Sequence, residues 1–271
     1  MYGKYKLPKE LIEFKNFEDE LEKEGLSLEQ LIFYFIEEEP NFYYPITPFD
    51  CIPFCTNYGD GTHYCFLTEF GQVENLSEAP IICVTPTNDP PIRLMARNIK
   101  EFIQLICSVP DMDQMESWWD SSEDKRKRDL QDLHESLDTE TIDKRTEVIS
   151  CIMKKFHVKP INYLKYIQQI LEERKRLVTI PTFDGLGIIA EEQIINFERY
   201  TFQRELTDME FERMNAYLSK ANRYEKLAFI RDINYYHVIT KQDNELFQLI
   251  SRVLLDLGLT DEEKRLQRKD Y

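Results

Sequence analysis

Residues 44–71 read YPITPFDCIPFCTNYGDGTHYCFLTEFG, and the fold turns on how that stretch divides. Two apolar and aromatic runs, 50–56 and 62–68, flank Tyr58-Gly59-Asp60-Gly61. Short runs of this kind bounded by Gly and Pro read as strands, and a Gly-rich bend that admits positive φ reads as the turn of a hairpin. Outward from the hairpin, 80–85 and 91–96 repeat the pattern between Pro80, Pro86, Pro90 and Pro91, so four strands are expected. Asn98 with Glu101 then caps a helix that runs through Phe102, Ile103, Leu105 and Ile106.

Upstream, Leu7, Leu11, Phe14, Phe17 and Leu21 recur at intervals of three or four, and Ser27 with Gln30 forms a capping box ahead of Leu28, Leu31, Ile32 and Phe35. Two helices are therefore expected over residues 8–38. Downstream of Pro110 the texture is helical, with capping boxes at Thr207/Glu210 and Thr260/Glu263 and breaks at Pro160 and 179–187. The helix pairs share no residue pattern, so no solenoid is expected. The fold class is α+β: an antiparallel or mixed sheet with flanking helices over residues 1–108, followed by an all-α region over 109–271.

The chain carries 50 Asp plus Glu against 34 Lys plus Arg, a net charge of −16, which opposes binding to nucleic acid or to an anionic membrane surface. At 42% hydrophobic residues and only 8 Gly it can still bury a core. No apolar run approaches the ~20 residues of a membrane span. The opening MYGKYKLPKELIEF reaches Glu10 and Glu13 before any stretch suited to a signal peptide, so a cytoplasmic protein is expected, with its six cysteines as reduced thiols.

Charge is unevenly laid out. No Lys or Arg occurs from Glu24 to Pro91, whereas acids recur throughout. A basic protein is the partner such a field favours, with Glu37, Glu38, Glu39, Asp50, Asp60, Glu69 and Glu74 as surface contributors. Glu37–Glu39 stand at the end of an expected helix, where the macrodipole disfavours acids, a local conflict consistent with a binding role. Solvated loops and a solvated helix end are the plainer reading of the same residues.

Cys51, Cys55, His63 and Cys65 form the one constellation with metal-ligand chemistry, yet they lack the two-residue knuckle between paired zinc ligands. His63 and Cys65 share a strand face, but no oxyanion donor or orienting group accompanies them as a nucleophile and base would require. Core thiols and a hydrogen-bonded histidine are expected, with no catalytic residue, metal or cofactor. Gly59-Asp60-Gly61 has neither the Gly-Lys-Ser/Thr of a phosphate loop nor the carboxylates of a calcium loop. Gly185 and Gly187 are too sparse for a dinucleotide fingerprint. Trp118 and Trp119 suit a packing junction, and Glu123–Arg128 a solvated helix face.

Thr47-Pro48-Phe49-Asp50, Pro53-Phe54, Gly59-Asp60-Gly61 leading into His63, Tyr64 and Phe66-Leu67-Thr68, and the Pro80–Pro86 strand before a capped helix resemble the SUKH superfamily of Smi/Knr-like proteins. The tryptophan that many relatives carry near the start is absent, and the helical half lies outside the likeness. The resemblance implies a sheet-and-helix fold that binds proteins without doing chemistry. Bacterial members are similar to immunity proteins that neutralise toxin domains, and fungal relatives are linked to regulation of cell-wall synthesis. The expected function is that of an immunity protein against a basic toxin domain; the alternative is an intracellular regulator or scaffold.

Overall fold

A computed structural model describes residues 2–36, 42–192, 194–237, 239 and 244–268. Its centre is a five-stranded antiparallel sheet in sequential order: β1 (Tyr34–Phe35), β2 (Cys51–Thr56), β3 (His63–Leu67), β4 (Ile81–Val84) and β5 (Ile92–Ala96). β2 to β5 coincide within a residue with the strands the sequence predicts. Every residue of β2 to β5 is buried, so both faces of the sheet are covered. Tyr64 and Phe66 face α2 (Ile99–Ile106), where Phe102 meets Phe54 at 5.5 Å and Tyr64 at 5.2 Å between ring centroids. Asn98 caps α2 by accepting the Glu101 amide at 2.9 Å, as expected.

α1 (Lys9–Lys23) buries Leu11, Phe14, Phe17 and Leu21. It ends in a Schellman turn, with Leu26 N donating to Leu21 O and Gly25 at φ +75°. The second helix expected before residue 38 is a correction. The Ser27/Gln30 capping box forms, but it starts only a 3-10 turn, Leu28–Leu31, after which Ile32 turns left-handed at φ 57° and the chain becomes β1. Phe33 and Phe35 thereby pack edge-on against Phe14 of α1 at 5.3 and 5.9 Å. A short helix has little intrinsic stability, and aromatic packing with strand pairing outweighs it here.

Nine further elements follow the sheet among the described residues: α2, α3 (Met112–Ser117), α4 (Glu123–Ser136), α5 (Thr139–Phe156), α6 (Tyr163–Leu177), α7 (Asp208–Leu218), α8 (Arg223–Tyr236), α9 (Asn244–Asp256) and α10 (Thr260–Leu266). The apolar cores do not divide at residue 108. Val148 and Ile152 of α5, and Tyr163, Ile167 and Ile170 of α6, belong to the same core as the sheet and α1. A second core is built from Ile180, Ile188 and residues 200–266, and it also takes in Phe49 and Phe70 from the sheet half. Helical spacing shows that a segment has an apolar face but not which core receives it. Trp119 belongs to the packing junction, donating from Nε1 to Leu94 O of β5 at 2.8 Å. α4 buries no residue, in keeping with its charged run.

The turn between β2 and β3 carries positive φ at Tyr58, Asp60 and Gly61. At Gly61, with φ +73°, a Cβ would stand 2.7 Å from Cζ of Tyr44, whose ring stacks on His63. Gly61→Ala is expected to destabilise the fold by about 1–3 kcal/mol, read as a lowered Tm in thermal unfolding.

Candidate functional site

At the turn end of the sheet, the 57–62 bend, the β4–β5 connection and the start of α3 enclose a cleft of about 340 Å³. Asp60, Asp113 and Glu116 line it, and no Lys or Arg does among the described residues. The bend is held by Thr56 Oγ1, which donates to Thr62 O at 2.6 Å, and by Asn57 Oδ1, which accepts from Gly59 N at 3.0 Å. Asn57 Nδ2 crosses to donate to Asp113 Oδ1 at 2.8 Å, tying the hairpin to α3. Asp111 caps α3 by accepting the Asp113 and Gln114 amides, each at 3.0 Å.

Two arginines beside the cleft are already engaged. Arg145 pairs with Asp111 at 2.6 Å, and Arg93 is ion-paired to Glu116, which also accepts from Thr85 Oγ1 at 3.2 Å. Asp60 and Asp113 are left exposed. Burial, and then the neighbouring Asp111 charge, push the Asp113 carboxyl above its ordinary value, while the Asn57 bond opposes them. Beside Asp113, Tyr34 and Tyr58 lie 4.8 Å apart, and Tyr58 is 64% exposed. Carboxylates next to an exposed aromatic face suit a guanidinium or ammonium group, through charge pairing and cation–π attraction together.

The other acids expected at a binding surface are dispersed. Glu74 is exposed after β3, at the opposite end of the sheet from Asp60. Glu37, Glu38 and Glu39 lie outside the described residues. Asp50 and Glu69, expected as surface contributors, are a correction: Asp50 has no exposed surface and Glu69 is 7% exposed. Both enter an ionic cluster between the sheet and the second core. Arg231 of α8 donates from Nη2 to Asp50 Oδ2 at 2.6 Å and from Nη1 to Asp184 Oδ2 at 3.1 Å. Arg174 of α6 forks onto both Glu69 oxygens and donates from Nε to Leu186 O at 2.7 Å. Asp184 arrives on a small hairpin closed by a bridge between Ile180 and Ile188, where a helix-to-helix loop is the sequence expectation.

Cys51, Cys55, Cys65 and Cys83 are buried free thiols. Burial pushes the first three well above the usual thiol range and Cys83 up to about 12, which holds them as protonated thiols within the packed sheet. His63 Nε2 lies 3.0 Å from Thr47 Oγ1 and its Nδ1 2.7 Å from Gly61 O, which clamps the ring beneath the bend. Among the described residues no group of three His, Cys, Asp or Glu side chains is placed to hold a metal ion, and no helix is long and apolar enough to cross a membrane.

Of the acids named from the sequence, Asp60 lines the cleft, and the sequence reading did not place Asp113 and Glu116 beside it. Asp113 and Glu116 sit beyond the segment that lacks basic residues, and only the packing of α3 on the two turns brings them to it. No family model matches the chain, and no curated protein matches it.

Proposed function

We propose that the chain is a SUKH-like, non-enzymatic binding protein of the cytoplasm that neutralises a basic toxin domain by docking at the acidic cleft. The observation that carries this reading is a cleft lined by Asp60, Asp113 and Glu116, with no Lys or Arg in its lining, beside the exposed Tyr58. A nuclease toxin is basic because it holds a polyanion, and an acidic, tyrosine-rimmed surface is complementary to that charge. Tyrosine supplies contact area at low entropic cost, and carboxylates supply orientation and encounter rate. The resemblance of 44–71 and 79–106 to the SUKH superfamily, whose bacterial members are similar to immunity proteins, supports the same assignment.

Immunity genes adjoin their toxins, so the test is co-purification with the basic protein encoded next to this gene. A stable complex is expected, with an association rate that falls by about tenfold or more from low to high salt. Asp60→Asn, at an exposed position, should slow association further while leaving thermal unfolding unchanged. A complex indifferent to salt and to Asp60→Asn, or no basic neighbour at all, overturns the reading and leaves the regulator or scaffold role.

A further inference from the structure

The ionic cluster between the two cores is not balanced. Arg174 and Arg231 face three carboxylates, Asp50, Glu69 and Asp184, so one negative charge is in excess. The flanking pairs, Arg265 with Glu262 and Arg199 with Asp232, are each balanced and do not relieve it. A surplus charge buried among apolar cores is costly, and taking up a proton removes it.

The hydrogen bonds identify which carboxyl takes the proton. Both oxygens of Glu69 are held by Arg174. Asp184 accepts from Thr182 Oγ1 at 2.5 Å and Leu186 N at 3.0 Å on one oxygen, and from Arg231 on the other. Asp50 accepts from Arg231 and from Phe70 N, at 3.3 Å, on Oδ2 alone, and its buried Oδ1 has no partner among the described residues. Asp50 is thus the carboxyl whose ionised form is least supported.

We propose that docking of the second core, α7 to α10 with the 179–188 hairpin, onto the sheet is coupled to uptake of one proton at Asp50. The charged and titratable groups around Asp50 come from every element packed on it. Arg231 stands on α8, Glu69 after β3, Asp184 on the hairpin, Glu262 and Arg265 on α10, Tyr5 before α1, and the Cys51 and Cys65 thiols within the sheet. Among the cations of the described residues Arg231 alone contacts Asp50 directly and favours its charge, while burial, Glu69, Asp184 and Glu262 oppose it. The balance pushes the Asp50 carboxyl up from 3.8 to about 6.

When the second core lifts away, Asp50 meets water and returns to the ordinary carboxylate range. The docked state then binds the proton more tightly than the open state. Docking is strongest below the open-state value and weakens as pH rises through about 6, by about a hundredfold in all and about tenfold between pH 5 and 8.

Asp50→Asn keeps an acceptor for Arg231 and Phe70 N while removing both the surplus charge and the titration. Hydrogen exchange of the α8 amides, corrected for intrinsic rates, reads the opening of the second core. From pH 5 to 8 the protection of the wild-type chain should fall about tenfold further than that of Asp50→Asn. Equal slopes in the two proteins overturn the proposal. A carboxyl NMR titration of the wild-type chain with 13C-labelled Asp, with the Asp50 resonance assigned, tests the same point even if the variant fails to fold: an Asp50 midpoint near 6 is expected, and an Asp50 midpoint below 5 overturns it.

Discussion

Arg231→Met is expected to lower the free energy of unfolding by about 3–5 kcal/mol, a large part of the total stability of an ordinary domain. Arg231 has no exposed side-chain surface and touches Asp50, Asp184 and Glu69 at once. Glu69 keeps Arg174 when Arg231 is lost, but Asp50 and Asp184 are then left without a counterion and fold either as buried charges or with bound protons, each at a cost in stability. Methionine fills a similar volume, so the loss reports the missing charge rather than a cavity. Asp50→Asn is the informative contrast, because it removes a carboxylate from a cluster that has one too many. Its cost at pH 7 should stay within about 1 kcal/mol. Urea denaturation followed by circular dichroism measures both, and an Arg231→Met midpoint close to wild type would show that the cluster is solvated.

Phe102→Ala should cost about 3–5 kcal/mol, for a different reason. The ring is fully buried where α2 lies on the sheet, between Phe54 and Tyr64, and Phe54 in turn contacts Phe66 at 4.4 Å. Truncation leaves a cavity bounded by strands on one side and α2 on the other, which the hydrogen-bonded sheet cannot close. The same urea experiment tests it, with a lowered midpoint and an unchanged slope expected. Exchange protection separates the two variants further. Arg231→Met should loosen α7 to α10 first, whereas Phe102→Ala should lower protection in β2, β3 and α2.

The candidate cleft and the ionic cluster use acids in opposite ways. Asp60 remains exposed near Tyr58, where charge can steer a partner with little cost of burial, and Asp113 beside it is only partly withdrawn from water. Asp50 and Glu69 are withdrawn from solvent to clasp the two cores, where removing a counterion is severe and removing the surplus carboxylate is not. The acids of the Glu24–Pro91 segment therefore have two destinations, with Asp60 exposed at the cleft and Asp50 and Glu69 buried, and only some of them are available to a partner.

The strands from Cys51 to Ala96, the bend at Gly59-Asp60-Gly61 and the Asn98 cap were legible in the sequence because each is a local matter. Short apolar runs bounded by Gly and Pro, positive φ and capping hydrogen bonds are all resolved within a few residues. The helix expected after Ser27 failed where a distant contact, Phe33 and Phe35 on Phe14, outweighed local propensity. Tertiary structure alone decided that α5 and α6 join the sheet's core and that Asp113 meets the 57–62 bend. It also decided that Asp50 is buried against an arginine 181 residues away. Whether an acid faces water or a guanidinium depends on the element folded over it, and no spacing within residues 44–71 carries that information.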